Sequence, residues 1–557
     1  MPAWWLGKPQ FGVGAQGTAR RPLAFICGRI PLPHNRVFAR SSALASLTAS
    51  IAKVGGNTFL SRVLGFVRDL VVARTFGADA GTDAFFVAFK IPNFLRRLFA
   101  EGAFSMAFVP VLAEYKAKRT FPELKRFVDD VAGTLGAILL VVTAIGVLAA
   151  PVLILIFAPG FAGHADKQAL AAEMLRLTFP YLLFISLTAF AGGILNTYER
   201  FGVPAFTPVL LNLSLIACAL WLAPRMEQPI TALAWGVLIA GIAQLAFQVP
   251  FLARLRLLPR PRINRKDEGV RRILHLMVPA LFGVSVTQIS LLIDTLLASF
   301  LVTGSISWLY YSDRLLEFPV GILGVALGTV ILPKLSQRHA EQSPVEFSRG
   351  IDWGLRWVWL LGAPCAVGLL LLAGPILATL FHSGEFTGHD VQMAGRSLMA
   401  YSLGLMGFLG IKVLAPGFYA RQDIRTPVRI AVIAMFTNMG FNLALMFPLG
   451  HAGLALATTI AASVNASLLM RGLLRNGVYR PQQGWGKLLV KGLAACLAMA
   501  AVLWWGSGET ETWLGLATLE RVLWLSGLIT AGAVVYAAVL LALGIRIRHL
   551  REATTRI

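Results

Sequence analysis

Residues 82–105 read TDAFFVAFKIPNFLRRLFAEGAFS, a stretch apolar enough to enter a bilayer that still carries Asp83, Lys90, Arg96, Arg97 and Glu101. Each such group costs roughly 2.5–3.5 kcal/mol at the centre of a membrane helix on insertion scales, so together they are expected to face a bundle interior or a wet cavity, not lipid. Asp83, Lys90 and Arg97 recur every seven residues and Glu101 follows four later, which lines them up as one polar stripe on a helix. The stripe predicts a membrane helix with a purpose for its charge.

The rest of the chain supplies the bundle. Of 557 residues 57% are hydrophobic and only 14% charged, and apolar runs of bilayer-spanning length recur to the C-terminus, which predicts an all-α polytopic membrane protein. Fourteen transmembrane helices are expected between residues 44 and 545. The net charge of +23 is concentrated in alternate connections such as KAKRTFPELKR at 116–126 and ARLRLLPRPRINRKDEGVRR at 253–272, while the intervening ones, GADAG at 77–81 or HSGEFTGHD at 382–390, are short and nearly neutral. That is the positive-inside pattern, and with an even number of spans it places both termini in the cytoplasm. It also argues against nucleic acid as the partner, and makes anionic membrane lipids the expected neighbours of the basic loops. Cys27, Cys218, Cys365 and Cys496 are scattered singly and suggest neither a disulfide framework nor a zinc site. No nucleotide loop, metal-ligand cluster or acid/base constellation is present in the sequence, so no cofactor, metal or catalytic residue is expected and an enzyme is disfavoured.

The chain is predicted to be duplicated. Pro151, Phe157 and Gly160 recur as Pro375, Phe381 and Gly384, and Tyr198, Arg200 and Pro208 as Tyr419, Arg421 and Pro427, with Pro110 matching Pro333. Six spans separate equivalent positions, so the two six-helix repeats point the same way and are related by an axis along the membrane normal, a transporter architecture with the substrate path between the halves. The domains expected are an N-lobe at 44–252, a basic cytoplasmic loop at 253–271, a C-lobe at 272–474, two further helices at 487–545 and a basic tail at 546–557. Residues 1–43 contain no apolar core followed by a cleavage motif and read as an extension, disordered or from an upstream start, not as a signal peptide.

Other spans add charge to that path: Arg62, Arg68, Asp69 and Arg74 in the first, Asp294 in the seventh, Asp313, Arg314 and Glu317 in the eighth, and Lys412 in the tenth. Arg74 reads as an interfacial residue near a helix end. Arg62, Arg68, Lys90, Arg96, Arg97, Arg314 and Lys412 make seven cations against five carboxylates, Asp69, Asp83, Glu101, Asp313 and Glu317. Pairing can consume most of the anions, and the surplus positive charge must face water or an anionic substrate. Arginine suits phosphate because its planar fork makes bidentate bonds and stays charged at any working pH. Asp294 is an ion or proton site candidate, or simply a paired polar residue.

The stretches SRVLGFVRDLVVARTFGA, TDAFFVAFKIPNFLRRLFAEGAFSMAFVPVLAEY, YYSDRLLEFPVGILGVALGTVILPKLS and VLAPGFYARQDIRTPV together resemble the MurJ/MviN family of bacterial lipid II flippases, within the multidrug/oligosaccharidyl-lipid/polysaccharide exporter superfamily, over about residues 44–550. The resemblance implies transport of lipid II, the polyprenyl-diphosphate-linked precursor of peptidoglycan, across the bacterial inner membrane by alternating access for cell wall biogenesis, with cell-wall synthesis machinery as a candidate partner. It implies two lobes around a central cationic cavity, a lipid-tail groove at the last two helices, and Arg62, Arg68, Arg96 and Arg314 as head-group ligands. Asp83 and Glu317 match the family's acidic positions, with Asp69 a weaker match, and are expected to pair with the cavity arginines when substrate is absent; Lys90, Arg97, Glu101, Asp313 and Lys412 are supporting or gating charges. Rival readings are a flippase for another polyprenyl-diphosphate-linked oligosaccharide, a multidrug or ion antiporter of the same superfamily, and a membrane scaffold that tolerates loss of these charges.

Overall fold

The computed structural model of the protein describes residues 35–545, and side chains from residue 54 onward apart from 99–101, 279–280, 282–287 and 325. The expectations for residues 1–34 and for the basic tail lie outside the described residues, as does that for the Glu101 side chain. Residues up to Ala52 form a separate unit from the chain that begins at Lys53. Among the described residues there are helices and no strands, with one isolated bridge between Ser383 and Phe386.

In chain order the helices are α1 (Asn35–Phe76), α2 (Ala80–Lys118), α3 (Phe121–Leu148), α4 (Ala150–Phe157), α5 (Ala165–Thr197), α6 (Gly202–Arg225) and α7 (Thr231–Arg254). The second half continues with α8 (Glu268–Ala298), α9 (Ser305–Ala340), α10 (Pro344–Leu371), α11 (Ala373–Leu380), α12 (Gly388–Ser402), α13 (Leu405–Tyr419), α14 (Arg425–Leu449) and α15 (His451–Arg475). After it come α16 (Trp485–Ser507), the short α17 (Thr510–Gly515) and α18 (Thr518–Ala542). Eleven of them are long and apolar enough to cross a membrane, or twelve if α12 and α13, bent by 41°, form one span. This is a multi-pass membrane protein. The other two segments expected to cross are helical as well: α1 carries Arg62, Arg68, Asp69 and Arg74 near its end, and the described apolar stretch of α8 is Gln288–Ala298.

Local chemistry explains the helix starts. Asp79 accepts the backbone N–H of Thr82 at 2.8 Å while Thr82 returns a bond to the Asp79 N–H, and Thr120 with Glu123 and Thr387 with Asp390 do the same for α3 and α12. These reciprocal caps satisfy orphan N–H groups of the first turn. Inside α2, Pro92 has no N–H to donate, and four residues later the helix widens into a π-helical segment, Arg96–Phe104, that displaces the two arginines from regular spacing.

Several structural details recur about 223 residues apart. The break between α3 and α4 falls at Ala149 and that between α10 and α11 at Leu372, shortly before Pro151 and Pro375, neither of which can bond to the carbonyl four residues back. Glu199 and Gln422 both adopt positive φ in the turn that leaves a helix. Buried Asp129 accepts the backbone N–H of Arg260 at 2.7 Å, and buried Asp352 that of Gln482 at 3.1 Å, each tying down the linker that leads out of its half. Gly160 packs against the Ser299–Phe300 backbone at the end of α8, and Gly384 against Arg74 at the end of α1, so each half reaches across to the other at an equivalent place. A side chain at 160 or 384 would collide with that backbone, and Gly384 also has φ +63°.

Packing divides along the same lines. One core draws on both halves, joining Phe76, Phe85 and Phe161 to Trp308, Phe381, Phe386 and Trp513 near the short neutral loops. Toward the basic loops the core splits, with Phe104, Phe108, Phe127 and Phe190 in the first half and Leu335, Phe347, Leu409 and Phe418 in the second. Helix α8 bridges the two. Its Val270 and Ile273 pack in the first-half core, whereas its other end meets α14.

Candidate substrate-binding site

The charged stripes of α1, α2 and α9 meet between the halves. At the neutral end Asp83, buried, accepts Lys167 Nζ at 2.9 Å, the backbone N–H groups of Gly304 and Ser307 at 2.8 and 3.0 Å, and the Ser307 hydroxyl at 2.7 Å. The pairing expected with cavity arginines is therefore not the one found. Asp83 instead neutralises a buried lysine and caps the start of α9, where the first-turn N–H groups and the helix dipole favour an anion. It fastens α2 to the second half.

Deeper between the halves, Asp69 is shared by two arginines. Arg68 donates Nη2–H to Asp69 Oδ1 at 2.6 Å and Nη1–H to Asn212 on α6 at 3.1 Å, while Arg314 of α9 lies 3.1 Å from Asp69 Oδ2. The Tyr310 hydroxyl donates to Asp69 at 2.9 Å and accepts from Arg68 at 3.0 Å; its ring stacks on Phe86 and lies beneath the Arg314 guanidinium. Arg314 also pairs with Glu317 at 2.7 Å, one turn along α9. Arg68 and Asp69 are buried, but the Arg314 side chain is 37% exposed and Glu317 55%, so one side of the cluster is not covered by the described residues.

Lys90 of α2 bonds the Thr295 hydroxyl of α8 and lies within Coulombic reach of Asp294 and Asp313. Asp294 accepts the side-chain amides of Asn438 and Asn442 of α14, both at 2.7 Å. These bonds give the carboxylate a structural role in joining α8 to α14. Asp313 is exposed beside Arg314. Arg96 donates to Asn93 at 2.9 Å, and Arg97 is exposed at the start of the π segment. Arg62 rests its guanidinium on Gly321, and Lys412 its stem on Gly324. Among the described residues no group of histidine, cysteine or carboxylate side chains is arranged to hold a metal ion.

Sequence reasoning had not singled out Tyr310, Asn212, Lys167, Ser307, Asn438 or Asn442. Tyr310 was within reach, since it stands four residues before Arg314 and so shares its face. For Asn212 and Lys167 the chain carries no local signal, because their partners are 144 and 84 residues away.

A family model described as lipid II flippase MurJ matches residues 72–524. The chain belongs to the MurJ family. A probable lipid II flippase MurJ of Haemophilus influenzae is 49% identical over 506 residues, covering 88% of this chain and 99% of that protein. The lipid II flippase MurJ of Burkholderia cenocepacia is 43% identical over 515 residues, covering 91% and 99%. Among solved structures, a lipid II flippase MurJ in an inward closed conformation superposes with TM-score 0.72 at 26% identity, covering 87% of this chain and 97% of that one. An inward-facing multidrug resistance MATE family transporter of the MOP superfamily reaches 0.60 at 15% identity, a likeness of fold alone. The MurJ motifs quoted above fall on α1, α2 and α9, which carry the charged residues described here, and on α13 and the start of α14.

Proposed function

We propose that this chain flips lipid II from the cytoplasmic to the periplasmic leaflet of the bacterial inner membrane by alternating access. The observation that carries the reading is the pairing of Arg68 from the first half with Arg314 from the second around one carboxylate, in a chain of the MurJ family. A lone diphosphate meets a desolvation penalty of tens of kcal/mol in the bilayer, and two arginine forks in a hydrated cleft offset it through charge-assisted bonds. The polyprenyl tail gains on the order of 0.8 kcal/mol for each CH₂ kept in lipid, so only the head group enters while the tail stays outside, along α16 and α18.

In this reading the fourteen spans include α1 and α8, the neutral loops are periplasmic, and the basic loops and both termini are cytoplasmic. The details that recur about 223 residues apart support two six-helix lobes about an axis along the membrane normal. Asp69 and Glu317 hold the arginines in the empty protein. Phosphate oxygens compete with them, and their release loosens the contact between α1 and α9 that binds the lobes, coupling the head group to the change of access.

The test is the exposure of lipid II head groups on the periplasmic side of cells depleted of their own flippase, comparing wild type with Arg68→Gln and Arg314→Gln at matched expression. Restoration by wild type and loss in both variants is the expected result. Restoration by all three would sink the site; failure of a well-expressed wild type would overturn lipid II as the substrate.

A further inference from the structure

At the neutral end the turn from α11 into α12 seats the second half on the first, and two arginines hold it from different helices. From α1, Arg74 donates to the Leu380 carbonyl at 2.9 Å, and its own carbonyl accepts the Glu385 N–H at 3.0 Å. From α18, Arg521 donates to the carbonyls of Ala378 and His382, both at 3.1 Å, to His382 Nδ1 at 2.9 Å, and to the Leu514 carbonyl of α17 at 2.8 Å. The last carbonyls of a helix have no partner within it and form the negative end of its dipole, so a cation is favoured there. Arg521 is nevertheless buried with neutral acceptors alone; it has no carboxylate partner among the described residues, and its Nε–H is unpartnered. Burying a cation without a counter-charge costs stability.

The duplicated architecture separates this tie from the seat itself. In the first half Gly160 packs on the Ser299–Phe300 backbone and donates its N–H to the Ser299 hydroxyl at 3.1 Å, as Gly384 packs on Arg74 in the second. Helices α16, α17 and α18 lie outside the repeat, and α17 and α18 pack on α11 and α12. The tie through Arg521 is therefore an addition to the second-half seat.

Helix α18 is suited to carry movement to that point. Its buried residues, Arg521, Leu525, Leu528 and Gly532, form one face in its neutral half, where Leu528 packs over Gly506 of α16 and Leu503 of α16 over Gly532. Its most apolar stretch is 17% buried, the least of the candidate spans. A helix with so little protein around it takes its tilt from the lipid beside it and from its anchors. Arg521 is the anchor at the neutral end.

We propose that Arg521 is a positioning residue that couples a polyprenyl tail lying along α16 and α18 to closure of the neutral end. The tail re-tilts α18, and Arg521 carries that movement into the α11–α12 turn and so to its seat on α1. The presence of a tail on these helices rests on the flippase reading above. Closure then answers to both ends of the substrate, to the head group through the cluster around Asp69 and to the tail through Arg521.

The experiment measures the distance between spin labels at Glu227 and Leu449, both exposed at the neutral end of opposite halves, in full-length protein reconstituted in bilayers. The probes are undecaprenol, a tail without phosphate, and inorganic diphosphate, a head without tail. In wild type each is expected to change the ratio of near to far distances about threefold. Arg521→Gln is expected to lose the response to undecaprenol and keep that to diphosphate. Arg521→Lys keeps the charge without the planar fork and is expected to fall between, and it decides the matter alone should Arg521→Gln not fold. Leu525→Ala loosens the same face with Arg521 intact, and is expected to lower the thermal midpoint while keeping both responses. A wild type unmoved by undecaprenol, an Arg521 variant that responds to it as wild type does, loss of both responses in Arg521→Gln, or loss of the undecaprenol response in Leu525→Ala would overturn the coupling. The expected pattern in a protein that moves no lipid II would uphold the coupling and overturn only the substrate.

Discussion

Asp69, a single buried carboxylate, accepts from Arg68 and Tyr310 and faces Arg314; in the mechanism proposed above, the phosphates of the substrate take over the same donors. A second residue-scale device sits at the neutral end, where Arg521 of α18 donates to His382 Nδ1 at 2.9 Å and to the carbonyls of Ala378, His382 and Leu514, while Arg74 donates to the Leu380 carbonyl. Burial, and then the Arg521 charge, lower the His382 pKa from its ordinary 6.5, because the ring must stay neutral to accept that bond. A folded-state pKa depressed in a base means that the unfolded chain binds more protons. The contribution is therefore full above pH 6.5 and is lost as pH falls below it. The thermal midpoint of the purified protein should drop between pH 7.5 and 5.5, and His382→Gln should flatten that slope; parallel slopes would remove His382 from the account. The presence of Arg62, Arg68 and Arg314 as unusual membrane charges was legible in the sequence. Which of them are paired was not, since a carboxylate one position away on the chain and another on a distant helix look equally available until the helices pack.

At the scale of elements, the two aspartate staples explain how long helices are held at the basic end. Asp352 accepts from Arg356, the Tyr479 hydroxyl, the Gln482 N–H and the Trp485 indole at 2.6–3.1 Å, and Asp129 from Lys125 and Arg260. Each fixes the linker leading to the next block, α8 after Asp129 and α16 after Asp352. Asp352→Asn weakens an acceptor that serves four donors and leaves Arg356 without its ion-pair partner, which should cost about 2–4 kcal/mol of stability. A lowered thermal midpoint with helical content unchanged is the expected outcome, and an unaltered midpoint would contradict it. The caps at Thr120 and Thr387 follow a residue pattern readable from the chain. The π segment in α2 does not, because Pro92 announces a disturbance without saying whether the helix kinks or widens.

For the whole molecule, the halves share one core at the neutral end and keep separate cores at the basic end, so closure at one end depends on a few junctions: Asp83 with Lys167 and the start of α9, Gly160 against Ser299, and Gly384 against Arg74. Asp83→Asn leaves Lys167 buried without a counter-charge and should shift the population toward separation of the neutral end. Distances between spin labels at Lys118 and Val345, both exposed at the basic end of opposite halves, should then shorten; an unchanged distribution would remove Asp83 from the gate. Apolar runs, alternating basic loops and a repeated motif determined, with no coordinates, that this chain spans a membrane many times, and its charge surplus and motifs pointed to a phosphate-bearing lipid. Those properties are additive along the chain, since each run partitions into lipid largely on its own composition. Only the tertiary structure decided that Asp83 serves Lys167, that Asp69 unites Arg68 with Arg314, and that Arg62 and Lys412 lie over glycines with no ion-pair partner among the described residues. Pairing depends on which helices touch, and that is set by the packing of distant segments.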